Sequence, residues 1–232
     1  MSFEKNKSYT SVNKIIYDFA LSAVMLAMFL LINFLSSFLK FNFLVFDFAM
    51  VSVLVLAYRV RIRYVYLVTV LGSLFNFFYS SASWIGVMIV SVNNLIFISW
   101  CLLFIRVIFK KFFHLKRFLL INVLLSALIT SLISVLLNIT LFTPLYWYTY
   151  QLVRTMNFVQ IANNYQPNPY LLNAPNYYAG NFALYLPFNL LKYLGVIILA
   201  MLFVRLIVYK PRVMKQTQKQ DKRFSFNYYH KP

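Results

Sequence analysis

The stretch Leu186-Pro187-Phe188-Asn189-Leu190-Leu191-Lys192 places an amide and an ammonium inside an apolar run otherwise fit for lipid. Pro187 predicts a helix start here, because its missing N–H would be unpaired in a first turn. From that start, Asn189 and Lys192 are three apart and project from one face. Lys192 then lies roughly 8 Å beyond the helix start, at 1.5 Å per residue. A lysine deep in a bilayer costs about 2.5–3.5 kcal/mol on insertion scales. Unless it snorkels, it faces protein or a wet pocket.

The rest of the chain supplies the setting. Of its 232 residues 62% are hydrophobic and 11% charged. A soluble domain cannot hide that much apolar surface, which points to an all-α polytopic membrane protein. The net charge of +18 raises the question of nucleic acid, but its distribution answers against it. Lys and Arg gather at the N-terminus and at residues 59–63, 106–117 and 205–231; only Lys40, Arg154 and Lys192 fall outside. Those clusters alternate with nearly uncharged turns. This is the positive-inside pattern of six spans with both termini in the cytoplasm. The basic tail fits anionic lipid headgroups.

The single Cys101 allows no intrachain disulfide. His114 and His230 lie in basic stretches, and the acidic residues are Glu4, Asp18, Asp47 and Asp221 alone. No metal site or catalytic carboxylate pair is expected from so few ligands. No Walker loop, zinc-protease helix or nucleophile elbow is present. The chain is therefore read as a non-enzyme without a cofactor or an energy source of its own.

The expected layout is a polar N-terminal segment, residues 1–14, a membrane domain, residues 15–209, and a basic tail, residues 210–232. No small-residue cleavage site follows the first apolar run, so it is read as a retained helix. The spans are expected at about 15–39, 44–58, 64–78, 84–108, 118–142 and 187–209. Ala23 and Ala27 form a small-xxx-small face on the first, either for intrachain packing or for another helix. Asp47 reads as a solvated cap or a pocket residue. A polar outer turn is expected at 79–83. The Asn138-Ile139-Thr140 sequon falls within a span and is read as a false positive. The Asn-, Tyr- and Pro-rich outer segment, residues 148–186, reads as a lid.

This topology gathers Asn138, Tyr146, Asn189 and Lys192 on the outer side, with Asn93 and Asn94. Amides and one ammonium in an apolar surround suit a small molecule bearing carbonyl, imide or hydroxyl groups. For Asn93 and Asn94, hydrogen bonding between spans 4, 5 and 6 is the favoured reading.

Three patches resemble one family. Pro187-Phe188-Asn189-Leu190-Leu191-Lys192 is similar to the Pro-Phe-Asn-Leu-x-Lys of riboflavin-specific S components of energy-coupling factor (ECF) transporters. Asn138 followed by Pro144-Leu145-Tyr146 resembles the Asn and Pro-x-Tyr ending their fifth helix, and Ala23 with Ala27 resembles the alanine pair of their first. The resemblance implies a bacterial cell-membrane protein that captures a vitamin from outside, most closely a flavin. It implies ligand contacts from Asn138, Asn189 and Lys192, and from the turn carrying Phe43, Leu44 and Asp47. It further implies docking of Ala23 and Ala27 on a transmembrane coupling subunit driven by two ABC ATPase subunits. Val45-Phe46-Asp47-Phe48, Arg59-Val60-Arg61 and Gly72-Ser73 depart from the family's Asp-Ile-Pro, Gly-Pro and Lys-Asn. These departures touch the ligand-facing turn. They leave open another vitamin (folate, thiamine, a nucleobase-like solute) or a structural membrane protein.

Overall fold

The computed structural model describes residues 3–41, 44–79, 84–108 and 116–203. Phe43, residues 80–83, the basic stretch Lys110 to His114 and the tail from residue 204 lie outside the described residues. The elements in order are α1 (Phe3–Ser36), a two-stranded antiparallel hairpin of β1 (Lys40–Phe41) and β2 (Leu44–Val45), α2 (Met50–Arg59), α3 (Ile62–Leu74), α4 (Asn76–Tyr79) and α5 (Trp84–Leu103). Then come α6 (Lys116–Leu137), α7 (Thr143–Thr149), α8 (Phe158–Asn163) and α9 (Tyr177–Leu202). Apart from the small hairpin, the architecture is all-helical. Among the described residues four helices are long and apolar enough to cross a membrane: Asn13–Ser36, Trp84–Ile108, Leu120–Thr149 and Tyr177–Leu202. The chain is a helical membrane protein.

The short helix α2 is the centre of the bundle. Every residue from Met50 to Ala57 is buried. A helix apolar all round belongs in a core, and α1, α3, α5 and α9 surround this one. Its ten residues span about 15 Å, half a bilayer core. The expected span from residue 44 is therefore shorter, because Leu44 and Val45 pair as a strand with β1.

Two clusters of apolar side chains build the interior. The larger joins α1, α2, α3, α5 and the first half of α6 with the second half of α9. The smaller joins the end of α6, α7, α8 and the first half of α9. At the end of α2 a polar clamp closes the turn into α3. Arg61 Nε donates to Asp18 Oδ2 at 2.6 Å, with Asp18 fully buried. Arg106 Nη2 donates to the Val60 carbonyl at 2.9 Å.

The last helix does not begin at Pro187. It begins at Tyr177, where the Asn176 side chain accepts from the Ala179 N–H at 2.7 Å. An asparagine cap settles the first turn's orphan donors, which a proline only avoids. Pro187 lies inside the helix. Lys192 is therefore fifteen residues along, about 22 Å from the start, and close to the middle of the helix. The lid contracts accordingly: residues 177–186 are helix, α8 and a 3-10 turn (Pro169–Leu171) order the rest, and Asn157 and Asn168 cap both.

The fifth span also runs further than expected. A π-helical turn (Asn138–Phe142) carries α6 into α7, as far as Thr149. In that turn the Thr143 N–H reaches back five residues to the Asn138 carbonyl. The next carbonyl, Ile139, would need a donor from Pro144, which has none. The buried Tyr177 hydroxyl supplies it at 2.7 Å. Tyr177→Phe is expected to leave that carbonyl unpaired and to cost about 1–3 kcal/mol, read as unfolding free energy in mixed micelles. Unchanged stability would mean the carbonyl finds another donor.

Candidate functional site: a buried lysine among amides

The Lys192 side chain is 3% exposed and does not point to lipid. Its Nζ lies 5.0 Å from the centroid of the Tyr193 ring, which stacks on Phe97 of α5 at 4.6 Å. Asp47 attracts it electrostatically without a direct ion pair. Among the described residues no hydrogen bond reaches this ammonium.

One turn earlier on the same face, Asn189 is buried and donates from Nδ2 to the Tyr185 carbonyl at 2.8 Å and to Ser134 Oγ at 3.2 Å. Asn138, 1% exposed, donates from Nδ2 to the Ser134 carbonyl at 2.7 Å and to Ser134 Oγ at 3.4 Å. Ser134 thus brings two of the expected ligand residues together across the α6–α9 contact. Burial of Asn138 agrees with a false sequon.

Asp47 is buried, which overturns the solvated reading. Its Oδ1 accepts from the Ala49 N–H at 2.9 Å, ahead of α2, and its Oδ2 accepts from Asn94 Nδ2 at 2.8 Å. Asn94 also donates to Ser73 Oγ at 3.3 Å. So Asn94 ties α5 to α3 and to the turn before α2, not to the fifth and sixth spans. The oxygens of Asn93, Asn94 and Asn138 and the Tyr193 hydroxyl are buried without a hydrogen-bond partner. So are the hydroxyls of Thr130 and Ser131 on α6.

Tyr146 and Leu44 are half-buried and pack against the smaller apolar cluster above these amides. There Trp147 stacks on Tyr165 at 6.3 Å, and Tyr177 meets both rings edge-on. The Tyr177 hydroxyl ties this aromatic layer to the Ile139 carbonyl, next to Asn138. A cavity of about 10 Å³ lies elsewhere, against α1 and α2, lined by Met25, Met28, Val51, Ser52, Val55 and Phe203. Among the described residues no three His, Cys, Asp or Glu side chains converge.

Ala23 and Ala27 are both exposed on α1. Packing among the described residues does not use them.

Ser134, Tyr185 and Tyr193 escaped the reading of the sequence. The signal for Ser134 is a four-residue repeat: Asn122, Ser126, Thr130 and Ser134 on α6 and Asn138 in the π-helical turn after it are all buried. Residues four apart share a helix face, so this stripe marks the side turned inward.

No family model matches the chain. No solved structure matches it. An uncharacterized protein of Mycoplasma pneumoniae, described as a homologue of MG350.1, is 33% identical over 187 residues, covering 77% of this chain and 81% of that protein. The uncharacterized protein MG350.1 of Mycoplasma genitalium is 33% identical over 200 residues, covering 82% of this chain and 86% of that protein. Identity at this level over most of both lengths assigns the chain to the family of the uncharacterized Mycoplasma protein MG350.1.

Proposed function

We propose that this chain is the substrate-binding S component of an ECF-type transporter, capturing a vitamin, riboflavin or a related flavin, for uptake driven by partner subunits. The observation that carries this reading is Lys192. Its ammonium is buried in mid-helix without a hydrogen-bond acceptor among the described residues, beside amides joined through Ser134. A buried ammonium is stable only when something completes its shell. A ligand carbonyl in contact with Nζ does so, and the aromatic layer of Trp147, Tyr165 and Tyr177 lies at the start of the same helix. Entry then requires the segment 150–176 to move.

In this reading six spans cross the bacterial cell membrane, with both termini cytoplasmic, as the charge pattern implies. The second and third are the short helices α2 and α3 with α4. The protein is not an enzyme and holds no cofactor; it works with a transmembrane coupling subunit and two ABC ATPase subunits. The test is direct. Full-length protein purified in detergent is expected to quench riboflavin fluorescence and to carry a small molecule identifiable by mass spectrometry. A different bound vitamin keeps the class and changes the ligand. No bound molecule and no associated ATPase subunit would leave a structural membrane protein.

Docking is proposed on the exposed face of Ala23 and Ala27. Ala23→Leu with Ala27→Leu is expected to weaken copurification of the coupling subunit at least about tenfold, roughly 1.4 kcal/mol. Ligand binding and thermal stability should not change, because neither side chain packs inside the bundle. Unchanged copurification ends the docking assignment.

A further inference from the structure

We propose that the turn between α2 and α3 holds the phosphate of an anionic phospholipid, from the leaflet that meets this end of the bundle. The inference is independent of the lysine on α9 and starts from the polar clamp at Asp18. An arginine and a carboxylate that pair fully do so as a fork, through two parallel N–H···O bonds. Arg61 and Asp18 pair through one. Arg61 Nε donates to Asp18 Oδ2 at 2.6 Å, while Arg61 Nη2 and Asp18 Oδ1 are buried without a hydrogen-bond partner. One nitrogen of that guanidinium is thus a desolvated donor that the carboxylate leaves open.

Further arginines converge on the same turn. Arg106 comes from the π-helical turn that follows α5 (Phe104–Ile108) and donates from Nη2 to the Val60 carbonyl at 2.9 Å. That bond engages one of a guanidinium's five N–H donors, and the residue is exposed. Arg63, also exposed, has its Cζ 5.0 Å from the centroid of the Tyr64 ring, and Arg61 Cζ lies 5.9 Å from the same centroid. Tyr64 therefore holds two guanidiniums beside one ring. Arg59 ends α2 just before them. Against these cations Asp18 forms an ion pair with Arg61. Planar forks with donors to spare are the side chains best matched to a phosphate.

The surroundings decide where that phosphate comes from. Ile16 and Phe19, which flank Asp18 on α1, are exposed; so are Ile62 and Leu67 on α3, and Val107 and Ile108 next to Arg106. In a helical membrane protein such side chains face acyl chains. A free anion would use the guanidiniums alone. A phospholipid uses them and also lays its chains along this apolar skirt, as headgroups do in basic pockets at helix ends.

The experiment uses the full chain in detergent, with dioleoyl phosphatidylglycerol as probe and dioleoyl phosphatidylcholine, of the same acyl chains, as reference. Native mass spectrometry measures bound lipid, and thermal unfolding follows the fold. Phosphatidylglycerol is expected to bind at least about tenfold tighter. Arg63→Gln alone should cost about fivefold of that affinity, since an arginine near the surface contributes about that much. It should leave the lipid-free unfolding temperature unchanged, because Arg63 is exposed. Arg63→Gln with Arg106→Gln should abolish the preference. Lys215→Gln with Lys219→Gln removes the same charge from the basic tail and should leave the preference intact. Equal losses from the two double variants would mean that total charge attracts the lipid, and would overturn the proposal. Displacement of the lipid by millimolar inorganic phosphate or glycerol phosphate would make this a site for a free anion and end the lipid assignment. An unchanged preference in the arginine variants, with or without loss of a copurifying subunit, would equally end it.

Discussion

Lys192→Met is expected to remove ligand binding without lowering the stability of the ligand-free protein. The affinity loss should reach at least a hundredfold, about 2.8 kcal/mol at 1.4 kcal/mol per tenfold. With Asn189→Ala added, no binding should remain measurable. The two halves of the expectation have separate causes. Binding falls because the lysine is the cation of the proposed site, buried one turn from Asn189. Stability holds because the ammonium makes no hydrogen bond among the described residues and no direct ion pair. Burying it costs about 2.5–3.5 kcal/mol on insertion scales, a cost that methionine of similar length does not incur. Asp47 loses a countercharge, which opposes that gain. It keeps both of its hydrogen bonds, from Ala49 and Asn94. Titration of riboflavin fluorescence and thermal unfolding, on the same samples, separate the terms. A lysine that only knits helices predicts the reverse, a drop in stability of several kcal/mol. Binding that survives the double variant would remove Lys192 and Asn189 from the site.

Gly72→Leu should strongly destabilise the bundle. A Cβ at Gly72 would fall inside the ring of Phe29, which is fully buried where α1 crosses α3. Overpacking typically costs about 1–3 kcal/mol. Here the ring has no free volume to enter, so about 3 kcal/mol or more is expected. The loss should show as reduced folded yield and a lower unfolding temperature in detergent. Phe29→Ala also destabilises by itself, through the cavity it leaves. Combined with Gly72→Leu it should restore part of the loss, since contacting residues couple. Strict additivity would mean that α1 and α3 do not meet through this pair. Gly195 stands in the same relation to Phe48, beside Asp47, so close packing there also sets the position of the carboxylate.

Membrane class was legible in the chain because lipid exposure is a local property. Long apolar runs and clustered arginines and lysines report it without knowledge of neighbours. The same holds for the first and fourth spans, and for Asn189 and Lys192 sharing a face. Pro187 misled because it is a local signal overridden locally. Asn176, eleven residues earlier, offers an actual donor-satisfying cap, and the helix runs through the proline. The lid looked long for the same reason.

The site itself needed the tertiary structure. Asn189 meets Ser134 across 55 residues, and Asn94 meets Asp47 across 47. No spacing rule connects positions that far apart. Hydropathy and charge determined that this chain is a helical membrane protein and that one lysine must be sheltered. Only packing decided that α2 is its centre, that Asp47 is buried, and that the amides of Asn138 and Asn189 meet at Ser134. The reason is that each of those outcomes depends on a partner from another helix, and partners are chosen by the fold.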